Sequence, residues 1–330
     1  MMRDRTATRV DVRARLRELI ATSQPGDRLP SERALSARWR VARQTVRAAT
    51  DALVREGLVQ RRHGSGTYVL PPPSIRSAAS TPSGVAEPGS PAGRRYLYGV
   101  AALVARIVET QWAALDAAAT RCTHALAAGR QLHAFGSGHS HMLAEELYYR
   151  AGGLVDVRPI LFEGLMLHGS APLSTALERL PGLAKAVIDD HAVEAGDVLL
   201  IASNSGSNAV VTEMARAARQ QRLAVIAITS LEHATSAAGR QARSPRLHEL
   251  ADVVIDNGGM VGDASIELDG LPTRVGPTST VVGAAIANAL VAEIAERLLA
   301  RGITPRVFSS SNVAGGDARN APYLDRPRSS

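Results

Sequence analysis

At 330 residues, with 45% apolar but only 3% aromatic content, the chain is long enough for two domains whose cores must rest on aliphatic and alanine packing. Its one cysteine, Cys122, excludes an internal disulfide or a cysteine-based zinc cluster and fits a reducing compartment. The net charge of +7 is unevenly placed: residues 1–70 hold 15 arginines against 7 acids, leaving 23 basic and 24 acidic residues for the remainder. A basic segment joined to a neutral one is the electrostatic footprint of nucleic-acid binding.

The arginine-rich opening at residues 1–5 has no apolar core, so no secretory signal and a cytoplasmic location are expected. Val12, Leu16, Leu19 and Ile20 recur at helical spacing and predict a first helix over 10–22, ended by Pro25-Gly26. Ser31 is a good N-cap for a second helix, with Glu32 in its first turn. A third helix is expected from about Arg43 to Glu56, stopped by Gly57. Two strands then flank His63-Gly64-Ser65 as a short wing, 58–61 and 66–69. Residues 71–95, with Pro71-Pro72-Pro73, Pro82, Pro88 and Pro91 among small residues, read as a linker between a head (1–70) and a body (96–330).

The body alternates helical stretches with short apolar runs. One long helix is expected over 97–128, then strands at 132–135, 156–160, 197–202, 224–229 and 253–256. Apolar strands alternating with helices predict a parallel, Rossmann-like sheet flanked by helices. The apolar stretch Val281 to Leu299 carries Asn288, Glu293, Glu296 and Arg297, so it reads as a buried amphipathic helix and no membrane partner is expected. Thr278-Ser279-Thr280 behind Pro277 would open it, either as caps or as ligand contacts. Lys185, the single lysine, reads as a solvated helix position.

Within the head, Leu-Pro-Ser-Glu-Arg at 29–33, Thr-Val-Arg at 45–47, Glu-Gly-Leu-Val at 56–59 and Gly-Ser-Gly-Thr at 64–67 arrive in order. The segment resembles the winged helix-turn-helix of GntR-family bacterial regulators. That resemblance implies that Arg33, Arg43 and Arg47 contact phosphates and base edges of double-stranded operator DNA. It also implies that Gln44 and Thr45 lie in the groove and that His63-Gly64 forms the wing tip. The residue chemistry agrees: a recognition helix meets bases near its N-terminus, arginine suits guanine edges and glutamine suits adenine.

Two loops stand out in the body: Gly136-Ser137-Gly138-His139-Ser140-His141 and Ser203-Asn204-Ser205-Gly206-Ser207-Asn208. Each follows a strand and precedes a helix. Small hydroxyl residues at such a junction offer hydroxyls and amides to an anion, and neither loop has the shape of a nucleotide motif. The second resembles the Ser-x-Ser-Gly-x-Thr phosphate loop of SIS (sugar isomerase) domains, with Asn208 in place of Thr. Arg-Ala-Gly-Gly-Leu at 150–154, Gly-Pro-Thr-Ser-Thr-Val-Val-Gly-Ala at 276–284 and Asn-Val-Ala-Gly-Gly-Asp at 312–317 extend the resemblance to a group of free-standing SIS proteins. It implies that Ser140, Ser203, Ser205 and Asn208, with Ser137 and Ser207 beside them, hold the phosphate of a sugar or amino sugar.

His141 and Glu145 are four apart and share a helical face, here a helix expected over 142–150. Glu146 is similar in place to a Glu of phosphoheptose isomerases that serves proton transfer or metal ligation. Glu146 and His141 are therefore the candidate catalytic pair, since aldose–ketose isomerisation needs a base beside the carbonyl carbon. The same polar groups would equally serve a sensor that only binds. No third clear metal ligand accompanies them, so no metal and no cofactor are expected. His168, in Leu165-Met166-Leu167-His168-Gly169, reads as a core or interface histidine. The expected whole is a small winged helix-turn-helix plus an α/β SIS domain. It would act as a homodimeric or higher-order regulator that senses a phosphosugar, as SIS-bearing regulators of the RpiR group do. The alternative is a phosphosugar isomerase carrying a DNA-binding head.

Overall fold

Apolar spacing builds the N-terminal unit. Helices α1 (Arg3–Ala21), α2 (Glu32–Trp39) and α3 (Arg43–Arg55) close on Val12, Leu16, Leu35, Val46 and Leu53. The computed structural model describes residues 3–24, 26–55, 58–62, 65–70, 90–236 and 245–324. They form two compact units divided between Thr81 and Pro82. Ser31 caps α2 by accepting the Ala34 amide at 3.2 Å, and Arg40 in the left-handed region (φ 52°) ends it, leaving a tight turn before α3. The residues meant to stop α3, Glu56 and Gly57, lie outside the described residues. Strands β1 (Val59–Arg62) and β2 (Gly66–Val69) pair antiparallel as the wing. The segment before α2 runs alongside: the Leu29 amide donates to the Thr67 carbonyl at 2.8 Å and the Val69 amide to Asp27 at 2.9 Å.

The second unit opens with α4 (Ala92–Thr110) and α5 (Trp112–Ala127). The single helix expected over 97–128 is thus two, and the first takes the last four residues, 92–95, of what reads as linker, behind Pro91. The break falls at Gln111, whose side-chain carbonyl accepts the Asp256 amide at 3.0 Å; a continuous helix would forgo that bond. Next come β3 (Leu132–Gly136), α6 (His141–Leu147), β4 (Val157–Ile160), α7 (Ala171–Leu177), α8 (Leu183–Asp189) and β5 (Val198–Ala202). Then follow α9 (Ala209–Gln220), β6 (Ala224–Thr229), α10 (Leu231–Thr235), α11 (Leu247–Leu250) and β7 (Val253–Asp256). The chain continues through β8 (Ala264–Ile266), β9 (Val275–Pro277), α12 (Ser279–Ala300) and α13 (Gly316–Leu324). Helix α6 is shorter than predicted because the chain turns extended at Tyr148 and left-handed at Tyr149 (φ 43°).

Five strands form one parallel sheet in the order β4-β3-β5-β6-β7. Side chains alternate between its faces, as the pleat demands. Leu132, Ala134, Leu200 and Ile226 pack on Cys122, Leu143, Ile286 and Leu290. Phe135, Leu199, Ile201 and Val225 pack on Val187, Val210, Met214 and Leu247. Both faces are therefore dry, which explains the continuous apolar runs in the strands. Cys122 is wholly buried on the first face, and burial pushes its thiol up to about 12. Among the described residues no helix is long and apolar enough to cross a membrane.

A buried polar pair ties β3 to the residue before β5. His133 Nε2 meets Asp197 Oδ2 at 2.9 Å with both side chains almost fully buried. Burial lowers the His133 pKa below its ordinary 6.5, outweighing the hydrogen bond to Asp197, which raises it. The native state thus favours the neutral ring, and below 6.5 the unfolded chain binds the extra proton. We expect the body to lose stability as pH falls from 6.5 through the lowered native value, and His133→Gln to flatten that decline. Urea midpoints measured from pH 7.5 to 5 check this; an equal slope in both proteins would remove His133 as the cause.

Candidate functional sites in the head and the body

On the head, the exposed face of α3 carries Arg43, Gln44 and Arg47, with Thr45 half-buried and Val46, Ala49 and Leu53 turned inward. Arg33 is exposed on α2. A groove of about 570 Å³ is lined by Arg28, Arg33, Arg43 and Arg61, with Glu32 as its one acid. Glu32 holds two of these arginines, Arg61 at 2.9 Å and Arg43 at 3.5 Å, while Arg61 also pairs with Asp51. Arg28 crosses the wing where Gly66 stands. A Cβ there would lie 2.7 Å from the Arg28 Nε, which would have to shift, and the φ of +126° is one that favours glycine. Arg28 and Arg61 escape sequence reasoning, although the Gly66 signal was in plain view. The expected wing tip, His63-Gly64, lies outside the described residues.

In the body, strand order reverses at β3, which has β4 on one side and β5 on the other. Ligands of such sheets bind beyond the carboxyl ends of the strands at that reversal. The loops after β3 and β5 both fall there. A small cavity between them is lined by Ser140, Ser203, Asn204, Asn257, Ser279 and Thr280 over an apolar floor of Leu143, Ala202 and Ile228. Ser140 and Ser203 thus meet as expected of neighbouring loops.

The β3 loop owes its shape to Gly136. A Cβ on that residue would lie 2.2 Å from the Ser140 carbonyl oxygen, so the chain can fold back on itself only there. The turn after it, Gly138 to Ser140, is a single 3₁₀ turn in which the Ser140 amide donates to the Ser137 carbonyl at 3.1 Å. Ser137 is buried beneath that turn. In the β5 loop, the Ser203 hydroxyl accepts the Gly206 amide at 3.1 Å, and the Ser207 hydroxyl donates to Ser205 at 3.3 Å. Asn208 has a different engagement from the one expected of a phosphate ligand. Its side-chain amide donates to the Glu178 carboxylate at 3.0 Å.

Asn204 was not singled out from sequence, yet it faces the crevice. Its Oδ1 accepts from Asn257 Nδ2 at 3.0 Å, which leaves its own Nδ2 buried without a protein acceptor. A buried donor in this state is costly unless a ligand or water meets it. The hydroxyl cluster at the start of α12 is also set differently. The Thr278 side chain does not cap the helix. Asp263 does so from the β7–β8 connection, accepting the Ser279 amide at 2.8 Å, the Thr278 amide at 3.1 Å and the Ser279 hydroxyl at 2.6 Å. A carboxylate suits the positive end of a helix, and no spacing rule predicts one 16 residues upstream.

Glu146, expected as a catalytic group, turns away from His141. Its carboxylate pairs with Arg150 and accepts from Asn288 Nδ2 on α12 at 2.7 Å. The carboxylate beside His141 is Glu145, with Oε1 3.7 Å from His141 Nε2. One helical residue is a rotation of about 100°, which suffices to separate the two acids. His168 departs from the core reading as well: it is exposed, and its ring lies 5.2 Å from that of His141. His139 is exposed.

Comparison with known proteins places both units. Residues 8–69 match the model for bacterial regulatory proteins of the gntR family, and residues 95–230 match the SIS domain. A UPF0309 protein of Halalkalibacterium halodurans is 43% identical over 218 residues, 66% of this chain and 90% of that one. Among solved structures, the chain is similar to PhnF from Mycobacterium smegmatis, 41% identical over 18% of this chain and 27% of that one (TM-score 0.18). It is also similar to a phosphoheptose isomerase from Francisella tularensis, 15% identical over 62% of this chain and 96% of that one (TM-score 0.40).

Because Gly136 has backbone where a side chain would start, Gly136→Ala should lower stability by about 3 kcal/mol, the upper part of the overpacking range. Urea denaturation of the purified protein measures it. A midpoint equal to that of the native sequence would show that the turn tolerates a methyl group.

Proposed function

We propose a transcriptional regulator that senses a phosphorylated sugar: the chain belongs to the UPF0309 family, its body is a SIS domain, and its head is that of gntR-family bacterial regulatory proteins. The observation that carries this reading is the hydroxyl-lined crevice at the strand-order reversal, in the same chain as an arginine-lined groove. Arg33, Arg43 and Arg47 contact phosphates and base edges, Gln44 and Thr45 enter the major groove, and His63-Gly64 forms the wing tip. Ser140 and Ser203 hold the ligand phosphate, with Ser137, Ser205, Ser207 and Asn208 completing the cradle. Asn208 does so by exchanging Glu178 for the ligand. Heads of this kind read paired half-sites, so the working unit is a homodimer in the cytoplasm.

A second reading is favoured by one feature. His141 and Glu145 stand together next to Ser140, and a carboxylate or imidazole so placed can move a proton at a sugar carbon. On that reading the body is a phosphosugar isomerase.

The two readings separate in one set of measurements. Full-length protein is bound to an operator selected from random duplexes, and its affinity is followed by anisotropy across a panel of sugar and amino-sugar phosphates. A sensor gives at least a 5-fold shift with one of them, and operator DNA shifts the affinity for that ligand by the same factor. Ser203→Ala should abolish the shift and leave basal DNA affinity intact. Turnover without any shift supports the isomerase and sinks the sensor. Independently, Arg43→Ala should weaken operator binding by ~1–3 kcal/mol; unchanged affinity would take Arg43 out of the interface.

A further inference from the structure

We propose that Asp263 is a latch whose release by the ligand's phosphate is passed to α4, the first helix after the linker; the proposal rests on the phosphosugar-sensing reading above. Residues 257–278 run as a strap from the crevice to α4 and back. At one end Asn257 lines the cavity, and its Nδ2 donates to Asn204 Oδ1 at 3.0 Å. At the other end Ser279 and Thr280, which open α12, line the same cavity. Between them the β8–β9 hairpin meets α4. Arg95 donates to the Glu267 carbonyl at 3.2 Å, and the Tyr96 hydroxyl donates to the Pro277 carbonyl at 2.7 Å. The Tyr96 ring lies against Gly276, where a Cβ would come 2.8 Å from its Cδ2.

Asp263 fastens this strap to α12. Its Oδ1 accepts the Thr278 amide at 3.1 Å and the Ser279 amide at 2.8 Å, and its Oδ2 accepts the Ser279 hydroxyl at 2.6 Å. A serine hydroxyl has a single proton to give, so Ser279 cannot donate to a phosphate in the crevice while it donates to Asp263. The phosphate also sets like charge beside the carboxylate, which drives the two apart. Asp263 stands in left-handed backbone (φ 68°), a region that residues with a side chain populate sparsely, so opening relieves strain. The step from latch to helix is one peptide unit. Its N–H end, on Thr278, donates to Asp263, and its C=O end, on Pro277, accepts from Tyr96. A peptide unit is planar and stiff. Losing its hold at one end tilts the other, and the bond to α4 with it.

Hydrogen exchange of the full-length protein, read by mass spectrometry, tests the relay with and without a ligand. Asp263→Gly deletes the carboxylate and keeps the left-handed backbone available. It should raise exchange at least 5-fold in residues 96–103 of α4, remote in sequence from the substitution. Tyr96→Phe, which removes one hydroxyl, should raise exchange at 278–282 in return, since coupling is reciprocal. An α4 unchanged by Asp263→Gly, or an α12 start unchanged by Tyr96→Phe, overturns the coupling. Inorganic phosphate, against chloride at equal ionic strength, should protect 203–208 and loosen 96–103 in the native sequence. In Asp263→Gly it should protect 203–208 without further change in α4. Protection of the crevice with α4 unmoved in the native sequence overturns the latch and leaves the sensing reading in place. Protection of no crevice peptide overturns the release step together with that reading.

Discussion

The contact between Gly136 and the Ser140 carbonyl is the constraint on which the body's chemistry depends. Because no side chain intervenes, β3 ends in a turn tight enough to bring Ser140 over the sheet and His141 back onto Gly138. Both consequences come from one missing methyl group. Ser140 reaches the crevice shared with Ser203, and the His141 ring comes to stand beside Glu145 and His168. Gly283 makes a similar allowance on the other side of α6: a Cβ there would lie 2.6 Å from Leu143 Cδ2. Helix α12 can therefore seat closely enough to put Ser279 and Thr280 at the rim of the same cavity. The site is held by backbone proximity first and by side chains second.

The sheet was legible in the sequence because buried parallel strands are continuous apolar runs, and those at 224–229 and 253–256 coincide with the observed ones. The loops were legible because Gly-Ser-Gly and Ser-Asn-Ser-Gly are unusual between a strand and a helix. Contacts that join distant segments were not legible. Asp263 caps α12, Gln111 interrupts one helix to serve β7, and Glu178 engages Asn208; in each case a polar group answers a partner elsewhere in the chain. The short strands β8 and β9 also escaped, since three residues carry too little alternation to be seen. That Glu145 and not Glu146 stands beside His141 has a different origin. Motif matching aligns letters, whereas the helix turns about 100° per residue, so neighbouring acids face different partners.

Charge distinguishes the two units. The head carries Arg33, Arg43 and Arg47 exposed, and Glu32 pairs with both Arg43 and Arg61 without neutralising the groove. Exposed ion pairs of this kind are worth little in water and can be exchanged for phosphate at small cost. The body uses neutral donors in its crevice, hydroxyls and amides with an orphan Asn204 Nδ2 among them. Such a lining offers hydrogen bonds without net charge, whereas the groove of the head is lined by four arginines and a single acid.

The solitary buried thiol has a use beyond packing. Cys122 is wholly buried with its thiol pushed up to about 12, so alkylation of the folded protein by a maleimide requires an opening that exposes it. Labelling then proceeds at a pace set by whichever opening exposes the thiol, which makes the native chain its own opening gauge. A molecule that tightens the body would be detected as slower alkylation, with no dye, tag or engineered residue required.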